Sequence, residues 1–274
     1  DVYKRQGEIF VSYTEDRGDD KTSTSIARGF IENDSFSKIE NIFQSGSSWN
    51  NIHWGSRLMF KDNLLYASIG ERGYGSVAQD PTSYFGKIIR IKKDGTAPMD
   101  NPYSMNEDWL PEIYQIGLRN PQGIMLYPND NEIYITNHGP KGGDFFGKVE
   151  AGTNYGWADV AWGGIDYDGS IIGDGSAWKE GLLKPIYTWV PSIAVSDMTF
   201  YGGDLFPELK NKILVTSLKA QRLISLEFDG KKARNETTLF EKVGRVRDVE
   251  TNSAGEIYVI IDNEDSGIWK LVNK

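Results

Sequence analysis

Apolar residues along this chain come in short runs of about five or six, broken by Gly, Asn and Asp, and almost nowhere at the spacing of a helix face. Leu64-Leu65-Tyr66-Ala67-Ser68-Ile69 is one such run. Glu132-Ile133-Tyr134-Ile135-Thr136, Lys212-Ile213-Leu214-Val215-Thr216 and Glu256-Ile257-Tyr258-Val259-Ile260-Ile261 are others. Each follows a turn, at Lys61-Asp62-Asn63, Pro128-Asn129-Asp130-Asn131, Pro207-Glu208-Leu209-Lys210-Asn211 and Asn252-Ser253-Ala254-Gly255. Another strand precedes each turn (57–60, 123–127, 198–201, 247–251), and a third follows at 86–92, 223–228 and 267–272. This unit recurs at roughly 45 to 75 residues, which is the signature of an all-β propeller with about five blades present. A β-sandwich is the other all-β reading, and the repetition favours the propeller. Residues 8–15 read as a middle strand of the first unit, whose inner strand is absent. The last unit, ending at Lys274, lacks an outer strand, which in closed propellers the N-terminal segment often supplies.

Composition narrows the picture. The 274 residues are 39% hydrophobic and 12% aromatic, enough for a packed core. A net charge of -9 argues against nucleic acid as a partner, because phosphate binding needs a basic surface. There is no cysteine, so disulfides and thiolate metal sites are excluded. No apolar run approaches the roughly 20 residues of a membrane span. The opening Asp1-Val2-Tyr3-Lys4-Arg5-Gln6 reads as a translated sequencing adapter. On that reading, residues 7–274 form a single propeller domain lacking its N-terminal blade.

Four stretches carry candidate chemistry. The chain has only two histidines, and His53 opens an inner strand, where an imidazole can act as general base; a structural histidine is the alternative. Arg119-Asn120-Pro121-Gln122-Gly123 enters another inner strand. It offers a rigid guanidinium fork and two amides, which suit a planar, oxygen-rich ligand, although Asn-Pro is also common in turns. His138-Gly139-Pro140 with Gly142-Gly143-Asp144 is a tight turn whose carbonyls suit a hard cation such as Ca²⁺; the bland reading is a Gly-rich loop. Lys219, Arg245 and Arg247 fall at strand ends. The two arginines share a face if extended, and would repel unless an anion lies between them; surface charge is the alternative. Trp189 and Ser192 lie just before an inner strand beginning near Ala194. Converging inner strands would make a cationic pocket for a small polyanionic cofactor held with a divalent cation.

The ordered set of motifs resembles the soluble pyrroloquinoline quinone (PQQ)-dependent aldose sugar dehydrogenases, the glucose/sorbosone dehydrogenase family. It runs through His53-Trp54-Gly55-Ser56-Arg57-Leu58, Gly70-Glu71-Arg72, Gly86-Lys87-Ile88-Ile89-Arg90, Arg119-Asn120-Pro121-Gln122-Gly123 and His138-Gly139-Pro140. It continues through Asn154-Tyr155-Gly156-Trp157, Ser217-Leu218-Lys219 and Arg245-Val246-Arg247-Asp248-Val249. The resemblance implies a six-bladed propeller that oxidises an aldose at the anomeric carbon to a lactone. Hydride passes to PQQ, and an external acceptor takes the electrons. It implies that His53 is the general base and that Arg119 lies beside the quinone oxygens. Asn120, Gln122, Ser192, Lys219, Arg245 and Arg247 would hold the cofactor, Gly139 and Pro140 would ligate Ca²⁺ through their carbonyls, and Tyr187 and Trp189 would lie near the sugar. A periplasmic or secreted location follows from the family alone.

Two departures stand out. Phe145 replaces an acidic residue usual after Gly-Gly-Asp, which removes support for a second, structural Ca²⁺ site, and no counterpart of the family's N-terminal glutamine segment is present. Two other functions compete. One is a non-catalytic propeller that binds a sugar or protein. The other is a Ca²⁺-dependent lactonase, which would need a cluster of side-chain carboxylates that the linear sequence does not display.

Overall fold

The computed structural model describes residues 2–5, 7–32, 35–264 and 266–272. Among the described residues, nineteen strands form five sheets, each a meander in which a strand pairs with the next in the chain. The first holds β1 (Val2–Arg5), β2 (Glu8–Asp16), β3 (Thr22–Glu32) and β4 (Ser35–Gln44). The second holds β5 (Gly55–Lys61), β6 (Leu64–Ile69), β7 (Lys87–Ile91) and β8 (Ile113–Gln115). The third holds β9 (Pro121–Tyr127), β10 (Glu132–Asn137), β11 (Asp144–Lys148) and β12 (Tyr187–Trp189). The fourth holds β13 (Val195–Tyr201), β14 (Lys212–Ser217), β15 (Arg222–Phe228) and β16 (Ala233–Glu241). The fifth holds β17 (Arg245–Thr251), β18 (Ile257–Asp262) and β19 (Gly267–Lys270). These are five blades of a β-propeller, and the last has three strands, as the pattern indicated.

Local chemistry explains the turns. Lys61 pairs with Leu64, so Asp62 and Asn63 alone close the β5–β6 hairpin. Both have positive φ (52° and 64°), as the twist-compatible two-residue turn requires and as Asp and Asn tolerate. Three first strands carry an irregularity near their starts, between Gly55 and Leu58, Val195 and Met198, and Val246 and Asp248. A bulge re-aims the side chains beside it, and the candidate Arg247 lies within the third.

Two compact units divide the chain. The first comprises residues 1–121, 149–160 and 179–183, and its core joins the first two sheets through Phe10, Ile26, Leu58, Phe60, Leu65 and Ile89. Phe10 and Phe60 meet edge to face at 4.9 Å. The second comprises residues 122–148, 161–178 and 184–274. There Tyr127, Tyr134, Phe146 and Phe228 interlock across the third and fourth sheets, in pairs that add about 0.5–1.5 kcal/mol each beyond area burial.

Candidate active site

In the first unit, β5 begins at Gly55, so His53 precedes the strand rather than opening it. His53 itself has φ of +52°, a left-handed conformation that a non-glycine residue holds only when its surroundings enforce it. Gly70 supplies part of that enforcement. Its N–H donates to the Trp54 carbonyl at 3.2 Å, and a side chain at position 70 would collide with the His53 carbonyl. The next residue, Glu71, makes a short hydrogen bond through Oε1 to His53 Nδ1 and accepts the Gly75 N–H through Oε2 at 2.5 Å.

Burial alone would push the Glu71 carboxyl up. The hydrogen bond and charge of His53, with the N–H groups of Gly75 and Gly73, outweigh it and hold the group below the ordinary carboxylate value. An ionised carboxylate can only accept, so Nδ1 carries a proton toward Glu71 and Nε2 is the ring nitrogen left facing away from it. The Arg119 carbonyl accepts the Glu71 N–H at 2.9 Å, and Asn120 Oδ1 accepts the Gly55 N–H at 3.1 Å. Arg119 is buried, with its guanidinium 5.5 Å from the centroid of the Trp157 ring. Backbone hydrogen bonds thus weave three separate motifs into one node holding His53, Arg119 and Asn120. Below it, the buried Lys87 Nζ donates to the carbonyls of Val77 and Phe85, both at 2.8 Å, and so ties down the 75–85 loop. Burial lowers its pKa to about 7, with Asp80 pulling weakly the other way.

The second unit gathers the metal and cofactor candidates into two further groups. Asp144, at the start of β11, is fully buried. It accepts the Gly139 N–H at 2.8 Å, the Ser192 hydroxyl at 2.9 Å and the Val195 N–H at 3.1 Å. Burial raises its pKa above the ordinary value despite those donors. The Ser192 proton is therefore committed to Asp144, and its oxygen accepts the Ala194 N–H. The Ile193 carbonyl takes the N–H of Lys219 at 3.1 Å, which brings Lys219 beside Ser192 with its side chain exposed. The third group centres on Asp262. Arg247 pairs with it at 2.6 Å and Arg245 at 3.5 Å, and Arg247 also donates to Gln122 at 3.1 Å. The anion expected between the two arginines is thus, in this structure, a side chain of β18.

Trp189 lies just upstream of the first strand of the fourth sheet, which begins at Val195 as expected, and with Tyr187 it forms β12, the final strand of the third sheet, paired to Asp144 and Phe146. Both rings donate to Glu236 on β16, Tyr187 at 3.2 Å and Trp189 at 2.7 Å, and Arg222 pairs with the same carboxylate. A carboxylate cluster also exists where the linear sequence displays none. Ligand atoms of Asp197, Asp248 and Glu250, from β13 and β17, lie within 4.8 Å of one another. No local pattern announces it, because two strands distant in sequence must pack to make it. Phe145 is buried in β11 opposite Thr188.

The sequence profile of the Glucose / Sorbosone dehydrogenase family matches residues 1–270. Among curated relatives, the aldose sugar dehydrogenase YliI of Escherichia coli (strain K12) is 33% identical over 270 residues, covering 96% of this chain and 72% of that protein. Quinoprotein glucose dehydrogenase B of Acinetobacter calcoaceticus is 30% identical over 185 residues, covering 58% of this chain and 37% of that protein. A crystal structure of a glucose dehydrogenase superimposes with a TM-score of 0.95 at 29% identity, covering 100% of this chain and 82% of that one.

Proposed function

The chain belongs to the glucose/sorbosone dehydrogenase family, and from that premise we propose that it oxidises aldose sugars at the anomeric carbon to lactones, with PQQ and Ca²⁺ as cofactors. The observation that carries this reading is the His53–Glu71 pair joined to Arg119 and Asn120. His53 Nε2 takes the proton of the anomeric hydroxyl. Glu71 fixes the ring and its tautomer and offsets the charge that His53 acquires. Arg119, held against Trp157, stabilises negative charge that develops next to it.

The donor set fits the cofactors. Pro140 is buried in its turn, and the buried Asp144 carboxylate, which accepts the Gly139 N–H, lies close behind it. Carbonyls of Gly139 and Pro140 would hold Ca²⁺. Asn120, Gln122, Ser192, Lys219, Arg245 and Arg247 would hold PQQ, with the cations matching its carboxylates. When bound, PQQ supplies the two-electron acceptor for the hydrogen leaving the anomeric carbon, and Ca²⁺ supplies a Lewis acid. An external acceptor then takes the electrons, and a periplasmic or secreted location accords with this reading.

The test is reconstitution of the chain with PQQ and Ca²⁺, followed by dye reduction with a panel of aldoses. His53→Ala should abolish turnover and leave PQQ binding intact. Failure of PQQ to change the absorbance of the protein would overturn the cofactor assignment; sugar binding without PQQ would then favour a non-catalytic propeller.

A further inference from the structure

Arg72 is fully buried, yet among the described residues no carboxylate pairs with it. Its Nε donates to the Ile52 carbonyl at 2.9 Å. Its Nη2 donates to the Asn50 carbonyl, in a short bond, and to Thr22 Oγ1 at 2.7 Å. Its guanidinium carbon stands 4.7 Å from the centroid of the Trp54 ring, and Nη1 is enclosed with no protein partner. Burial lowers its pKa. A buried cation bound only to neutral acceptors is costly to the fold, so a fold that keeps one at this position needs a compensating reason.

The partners suggest that reason. Asn50, Ile52 and Trp54 belong to the segment that carries His53, and the guanidinium grips it from both sides of that residue. The segment makes few regular hydrogen bonds, and its backbone is left-handed at His53, Gly55 and Ser56. Arg72 also adjoins Glu71 in the chain, so one dipeptide holds the imidazole through Nδ1 and the backbone beneath it through two carbonyls. Planar, forked donors can span two carbonyls in this way; a lysine ammonium is a point donor.

We infer that Arg72 is a positioning residue for His53, acting through the 50–54 backbone rather than on substrate. The inference rests on the reading of His53 as the base. In the PQQ- and Ca²⁺-loaded chain, Arg72→Met should lower kcat by about a hundredfold, the scale of a misplacement near 1 Å. KM for the aldose and the affinity for PQQ should change less than about threefold, while the acidic limb of the kcat/KM pH profile moves. Arg72→Lys should recover part of the loss. With only two histidines in the chain, the His53 ring can also be followed directly by NMR in cofactor-free protein, assigned with His138→Gln. Its titration should shift in Arg72→Met. A lower melting temperature with unchanged His53 titration and unchanged pH profile would reduce Arg72 to a structural residue and overturn the inference. Should Arg72→Met not fold, Arg72→Gln takes its place: a wild-type His53 titration in that variant also overturns it. A wild-type chain inactive with PQQ would sink the proposed function, while the cofactor-free titration would still decide whether Arg72 positions His53.

Discussion

Two buried carboxylates, one in each compact unit, sit beside candidate functional groups and shift in opposite directions. Glu71 in the first unit meets His53, whose charge and hydrogen bond pull its pKa below the ordinary value. Asp144 in the second meets only neutral donors, from Gly139, Ser192 and Val195, and burial pushes it up. Desolvation penalises both, and the nature of the partner decides the outcome. A carboxylate whose partner can become cationic is ready to support proton uptake. One surrounded by neutral donors lacks a positive charge, and a cation at the adjacent carbonyls would supply it.

Breaking the first member of the pair should have the largest effect. Glu71→Gln removes the anion that holds His53 Nδ1–H, and turnover should fall by about 10² to 10⁴-fold while PQQ still binds. Steady-state kinetics across pH would measure this, and a loss under about fivefold would mean that His53 needs no orienting anion. Asp144→Asn tests the second member. Ca²⁺ at a hundredfold excess over its Kd should stabilise the native chain by about 2.7 kcal/mol, and chelation should reverse this. In the variant the Ca²⁺-dependent rise in Tm should shrink by roughly half or more, as the loss of a charged acceptor implies. An equal rise in both proteins would disconnect Asp144 from the ion.

Lys87 sharpens the same comparison, as a buried base beneath the first node. Its folded pKa of about 7 lies below the ordinary lysine value. Between those values the unfolded chain binds the extra proton, so stability must rise with pH from about 7 towards 10, by at most ~1.4 kcal/mol per pH unit. Below pH 7 this group adds no slope. Lys87→Met should flatten denaturant-derived stability over that window, and an unchanged slope would show that the amine is charged in the fold. The smallest effect belongs to the third sheet. Tyr187→Phe loses one hydrogen bond to Glu236, which Trp189 and Arg222 still satisfy. It should cost about 0.5–1.5 kcal/mol in stability; a large rise in KM for aldoses would support the expectation that Tyr187 lies near the sugar, and an unchanged KM would count against it.

Much of the fold was legible because alternation with short turns is a local signal. The strands of the second to fifth blades that begin and follow the hairpins lie where the pattern put them, for example β6 at Leu64–Ile69 and β14 at Lys212–Ser217. Others left no such trace. In β3 the buried Ser23, Thr24 and Ser25 are polar and give no apolar signal, while β4 and β16 are exposed edge strands with little alternation to detect. Strands of three residues, β8 and β12, are too short to show a period. At the site, the motif residues were readable by type, but their partners were not. Glu71 for His53, Asp262 for the arginines and Glu236 for the aromatic pair all come from elsewhere in the chain.

By itself, then, the sequence determined the all-β repeat, a turn within Lys61-Asp62-Asn63, and the short list of groups able to exchange a proton or hold an anion. Those properties depend on residue type and near-neighbour spacing. Only the tertiary structure decided which carboxylate is ionised beside His53, which one is left with neutral donors, and which cations are already paired. Hydrogen bonds and charge interactions are set by approach within a few ångströms, through left-handed residues and bulges that redirect side chains where the two-residue period breaks down.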